Sequence, residues 1–386
     1  MSCIQELSFP RSTPPSGSSP RLAQWVAATG LGLLLLAPVA SAQANGPISP
    51  VPRYNNGVDS FFYIDLANGG SYLVEDLDSP PTDLRQLKQN IFSEIGRPTT
   101  QVASPGEVLT APIVAGGDLR AILFVEASTG FVAFFDGPGR GGNLGTISTA
   151  IGRPFESIAS TDGNYALLPY RDDSGRTVGA YLYHAIDGRA VYLDGLRKLE
   201  PDGTATPLDG WPQMSHQVAT ATLQSSREET VGYLLIDSGD GTIHQVRPAG
   251  GPTRVQPQTT SLALFDALSA EAKHPTPQRI VAIGLQGSND ATRSVLFVDV
   301  ATGEMAALRG IDSGQNTLGK LPRNVYEVLG TAVSETPRWF SLVPADEDGE
   351  TQGVYLIDSL TRSILRIDRP DNPGATTIQR IGNIAG

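Results

Sequence analysis

Cysteine is almost absent from this chain. Cys3 is the one cysteine in 386 residues, and it lies ahead of an apolar, leader-like segment. The remainder can form no disulfide, thiolate metal site or cysteine nucleophile. Lysine is scarce too: Lys88, Lys198, Lys273 and Lys320 are four of 28 basic residues, set against 40 acidic ones, for a formal net charge of −12. An acidic surface repels phosphate backbones, so no nucleic-acid partner is expected. Catalytic signatures are missing as well. No G-x-S-x-G elbow occurs, and His184, His216, His244 and His274 match no H-E-x-x-H spacing. The glycine-rich stretch 137–143 is followed by no Gly-Lys-Ser/Thr. The acidic loops at 346–350 and 237–241 do not continue into a twelve-residue calcium loop and read as solvated turns. No catalytic, cofactor-binding or metal-ligating residue is therefore singled out, and no cofactor is expected.

Long apolar runs are also lacking, with one exception at residues 22–42, LAQWVAATGLGLLLLAPVASA. Arg11 and Arg21 precede it, and it ends on the small-residue pattern Ala40-Ser41-Ala42. These are the marks of a signal peptide, predicted at 1–42 and cleaved after Ala42. A transmembrane anchor is the rival reading. Gly30, Gly32 and Pro38 interrupt the run, whereas a span needs about 20 apolar residues. Residues 43–386 are then expected to be exported, periplasmic or extracellular, with no membrane span after cleavage.

Six β-hairpin segments are present, and they align. They are FYIDLANGGSYLV, LFVEASTGFVAFF, YLYHAIDGRAVYL, LLIDSGDGTIHQV, LFVDVATGEMAAL and YLIDSLTRSILRI. Their fourth position holds Asp65, Glu126, His184, Asp237, Asp299 and Asp358, at steps of 61, 58, 53, 62 and 59 residues. Four positions on stand Gly69, Gly130, Gly188, Gly241 and Gly303, and in the last copy Arg362. The acidic slot suits a turn cap and the glycine a left-handed turn residue. A ring of metal-binding or catalytic acids is the sharper alternative.

Further strands at 165–168, 217–221, 279–283 and 339–343 precede the hairpins, each followed by a polar loop. Outer segments follow them, with Ile-Gly-Arg-Pro occurring at both 95–98 and 151–154. Four antiparallel strands per unit and six units, each about 57 residues, predict an all-β, six-bladed propeller over residues 43–386. A β-solenoid and two sandwiches are the alternatives. Ring closure is the weak point. The segment 376–384 suits the last outer strand, which leaves 47–54, with Pro47, Pro50 and Pro52, as the first inner strand. Helical spacing predicts helices over 82–95 and 261–273, and 200–214 reads as a loop in which Trp211 is a plug, a contact residue or part of a blade interface.

The copies at 355–361 and 296–303 resemble the strand–turn–strand element of bacterial propellers, similar in kind to the pyrroloquinoline-quinone repeat with its Asp-x-x-Thr-Gly turn. The tryptophan that family places after the turn is missing in all six copies. The resemblance implies a propeller architecture and neither cofactor nor active site. The expected function is a non-catalytic, exported binding scaffold of the cell envelope with a protein or glycan partner. The alternative is a hydrolase or lyase with a calcium-assisted site in the central channel, using a blade-loop acid and a histidine.

Overall fold

The computed structural model describes residues 45–53, 57–75, 77, 83–98, 103, 107–115, 118–136, 147–162, 164–199, 205–268, 279–311, 313–331, 338–347, 350–358 and 360–384. The expected leader and the stretch 137–143 lie outside these residues. Among them are six four-stranded antiparallel sheets, each built from four consecutive strands. This is the six-bladed propeller expected from the repeat. The inner strands are Asn45–Arg53, Val108–Ala115, Tyr165–Arg171, Val218–Gln224, Ile280–Gln286 and Phe340–Glu347. No described helix is long and apolar enough to cross a membrane.

The second strand of each blade is buried on both faces, which explains why its sequence is a continuous apolar run rather than an alternating one. Its alternate residues serve opposite neighbours. Phe62 and Ile64 pack with Ile122 and Phe124 of the second blade. Phe61 and Tyr63 pack instead with Tyr355 and Ile357 of the sixth. The core is accordingly six apolar seams, one between each pair of adjacent blades.

The seam between the sixth and first blades closes the ring by packing alone, with no strand exchanged. Both strand assignments at the ends are correct: Thr377–Asn383 is the last outer strand, and Asn45–Arg53 is the first inner one. The prolines fit because an inner strand, although nearest the axis, pairs on one side only. A Pro whose missing N–H would face the channel removes no ladder bond. Pro112, Pro169 and Pro344 share one place in the other inner strands, four residues after Val108, Tyr165 and Phe340.

Two expected helices are corrected. Residues Asp83–Asn90 form the outer strand of the first blade, and only Ile91–Glu94 (α1) is helical. Likewise Val255–Ala263 is a strand that leads into Leu264–Leu268 (α2). Pairing with the third strand of each blade overrides the helical spacing. A third helix, Val325–Leu329 (α3), occupies the same place after the fifth blade. The expected loop at 200–214 contains the outer strand Ala205–Leu208, and Trp211 is buried against Tyr181 and Tyr183 in the seam between the third and fourth blades.

Candidate functional site

Each acidic slot pairs in register with the first residue of its inner strand, so all six lie at one end of the ring. The slot caps its turn as expected. Asp65, Asp237 and Asp299 each accept from the backbone N–H two residues on at 2.8 Å, and Asp358 does so at 3.2 Å. It also does more. Arg338 Nε lies 3.1 Å from Asp358, Arg97 Nη1 lies 3.2 Å from Glu126, and Arg279 Nη2 stands 3.6 Å from Asp299. Each arginine also stacks on an aromatic ring from the preceding blade: Tyr326 at 5.0 Å, Phe92 at 5.1 Å and Phe265 at 4.3 Å. Aromatic, arginine and acid thus tie one blade to the next. Burial holds the Asp65 and Asp299 carboxyls above their usual range.

The first, third and fourth blades depart from this device; in the first, Asp65 accepts from Ala67 N–H and Asn68 Nδ2. In the third, the residue types are exchanged: His184 fills the slot, its Nε2 lies 2.7 Å from Asp162, and its Nδ1 faces Asp187 at 3.1 Å. In the fourth, Ser215 replaces the arginine, donating to Asp237 Oδ2 from its N–H at 2.5 Å and its hydroxyl at 2.8 Å. The sixth explains the missing glycine. A Cβ on Gly69 or Gly303 would lie 2.4 or 2.5 Å from the Phe92 or Tyr326 ring that covers the turn. No such ring follows the last blade among the described residues; Arg362 takes the same left-handed conformation (φ 55°), and its charge opposes the burial that raises the Asp65 pKa.

The other end of the channel carries a feature the repeat did not reveal. Six residues after the start of their inner strands, the second to sixth blades place Val114, Arg171, Gln224, Gln286 and Asp346. A β-bulge falls at this step in every one of these blades. Bulges re-aim side chains and recur beside functional sites. The belt is fixed by four buried threonines of the second strands. Thr177, Thr230, Thr292 and Thr351 accept from the backbone N–H of Val114, Arg171, Gln224 and Gln286 in the preceding blade, at 2.8–3.1 Å. Each threonine stands seven residues before its slot, a period that was available in the sequence. The first and second blades have Val58 and Leu119 there.

Polar contacts run around the belt. Arg171 Nη1 lies 3.2 Å from Glu228, Gln286 Nε2 donates to Gln224 Oε1 at 2.5 Å, and the Thr351 hydroxyl donates to Asp346 at 2.6 Å. Burial pushes the Arg171 guanidinium below its ordinary value, opposed by Glu228 and Asp346. Burial likewise holds Asp346 above the usual carboxylate range, where Thr351 and Arg171 oppose the shift and Asp290 adds to it. Arg171 belongs to the third blade and Asp346 to the sixth, which face each other in a ring of six. They feel each other's charge across the axis, yet each is held by a different partner.

The structure keeps the described histidines apart. His184 is buried between two aspartates, His216 touches Ser215 at 2.9 Å, and His244 touches Thr259 at 3.1 Å, its pKa lowered by burial. His274 lies outside the described residues. No group of three His, Cys, Asp or Glu able to hold a metal occurs among those described. Of the two acidic loops, Asp237 is a buried turn cap. Asp346 is not a solvated turn residue but part of the belt, because the inner strand runs on to Glu347.

No protein-family model and no curated protein matches the chain. Solved structures of similar architecture include two putative 6-phosphogluconolactonases. That from Bacteroides uniformis is 13% identical at a TM-score of 0.47, over 86% of this chain and 84% of that one. That from Bacteroides fragilis gives 13% and 0.47 over 86% and 83%. KlAtg21, solved in complex with the coiled coil of AgAtg16, gives 10% and 0.43 over 86% and 97%. At these identities the likeness is one of fold. It nevertheless corrects the expectation of a non-catalytic scaffold. Propellers of this kind include proteins named as enzymes, so neither the architecture nor a missing sequence motif makes the chain non-catalytic.

Proposed function

We propose that the chain binds a small polar ligand at the belt end of its channel, with Arg171 and Asp346 as the charged recognition groups. One observation carries this reading: two opposite charges stand at the same register of opposite blades, half-buried, and are held apart rather than paired. Burial disfavours charge on both, which propeller closure does not require. Perturbed ionisable groups lining a concavity are a physical marker of a binding or catalytic centre. Glu228, which holds Arg171, and Asp290, whose charge reaches Asp346, both take left-handed conformations (φ 58° and 61°), which non-glycine residues adopt at a cost and which cluster at functional sites.

A thermal-shift screen of the full chain against small carboxylic acids, amines and amino acids tests the reading. A ligand that binds the folded state raises the melting temperature. The expected result is a hit whose shift is lost in Arg171→Gln; equal shifts in both proteins would overturn it. The leader-like segment 22–42 supports export of residues 43–386, which N-terminal sequencing of the protein recovered from its host would check.

A further inference from the structure

We infer that the belt ligand is a zwitterion with a short apolar stem, the chemical class of a free aliphatic amino acid; the inference rests on the belt being a binding site. The belt has a direction. Around the ring it runs Arg171, Gln224, Gln286, Asp346, from the third blade to the sixth. The amide bond in its middle continues that order. Gln224 turns its oxygen to the fifth blade, so its amide nitrogen remains a donor next to the blade of Arg171. Gln286 turns its nitrogen to the fourth blade, so its amide oxygen remains an acceptor next to the blade of Asp346. Half the mouth is therefore graded from donors to acceptors.

A carboxylate fits the donor side. Glu228 takes Nη1 of Arg171, and the guanidinium fork offers further N–H donors suited to a second carboxylate. An ammonium fits the acceptor side, where Asp346 and the Gln286 oxygen stand and the field of Asp290 adds negative potential. A ligand of one charge would satisfy one end and leave the other buried charge without a ligand partner. Next to the belt the described inner strands are mostly apolar. Val114 takes the belt position in the second blade, and two residues back along the inner strands stand Pro112, Pro169, Gly284 and Pro344, with Thr222 the polar exception. These suit a short aliphatic stem and offer it no hydrogen-bonding side chain apart from Thr222.

Isothermal titration of the full chain with four probes tests this: L-norleucine (both charges and a stem), glycine (both charges, no stem), hexanoate (carboxylate and stem) and pentylamine (ammonium and stem). L-norleucine is expected to bind at least tenfold more tightly than each of the others. Arg171→Gln should weaken L-norleucine at least tenfold and leave pentylamine unchanged, and Asp346→Asn should weaken L-norleucine while leaving hexanoate unchanged. Hexanoate or pentylamine binding as tightly as L-norleucine, with the matching variant abolishing it, would overturn the zwitterion and keep the belt as a site. Glycine binding as tightly would overturn the stem. No binding by any probe, or binding that both variants leave intact, would overturn the inference together with the site.

Discussion

Arg338 and Asp358 meet 3.1 Å apart beside the seam between the fifth and sixth blades, with side chains 3% and 0% exposed. The arginine is also stacked on Tyr326, so one residue ties two groups from two blades. Arg338→Met would keep the stacking volume and leave the Asp358 carboxylate buried without its cation. Breaking a buried pair from one side costs roughly 3–5 kcal/mol. Urea denaturation should show a loss of that order; a loss under about 1 kcal/mol would mean that the turn amides alone satisfy Asp358.

The exchanged pair of the third blade makes a sharper test. His184→Asp restores the residue type of four other slots but sets a carboxylate beside Asp162 and Asp187. Like charges brought together under burial destabilise, by about 2 kcal/mol or more here. Combining it with Asp162→Arg recreates the arrangement of the fifth and sixth blades. The double variant should recover most of the loss, which a double-mutant cycle reads directly. Independent, additive losses would show that the slot and its partner do not form one device.

Gly303 and Arg362 hold the same turn position with opposite tolerance. At Gly303 (φ 71°) a Cβ would meet Tyr326 and Asn324 at 2.5 Å, so Gly303→Ala should cost about 2 kcal/mol or more, combining left-handed strain with a clash. Arg362 already occupies that conformation, and Arg362→Gly should shift stability by less than about 1 kcal/mol. Thermal melts of the two variants should separate clearly; equal losses would contradict the role given to the covering ring.

Asp346 should reveal itself through pH. Its pKa in the folded chain lies above the ordinary 3.8, chiefly through burial. An acid with a raised folded pKa is harder to ionise folded than unfolded. It therefore subtracts stability as pH climbs from 3.8 through the folded value, and fully above it. Asp346→Asn keeps an oxygen for the Thr351 hydroxyl and removes that cost. It should be more stable than the wild type at pH 7, with the advantage fading as pH approaches 4. A destabilised variant at pH 7 would make Asp346 a structural group rather than one kept for binding.

Much of the architecture was legible because it repeats in residue type. The slot and its glycine recur as Asp and Gly, and the runs beside them are apolar on both faces. The helices at 82–95 and 261–273 were misread because Leu84, Leu87 and Ile91 keep helical spacing while their segment completes a sheet. The belt was illegible for the opposite reason: Val114, Arg171, Gln224, Gln286 and Asp346 share a register and no chemistry. Their one common signal was the threonine seven residues before the slot in four blades. The two copies of Ile-Gly-Arg-Pro have different fates. Arg97 is stapled to Glu126, whereas Arg153 is exposed, since the slot ahead of it is His184 and not an acid.

The belt as a two-charge site is tested most directly by a crystal structure of the full chain with L-norleucine. The account predicts ligand density inside the channel mouth, its carboxylate beside Arg171 and its ammonium beside Asp346. An unliganded mouth at saturating concentration, or the ligand bound elsewhere on the propeller, would contradict it.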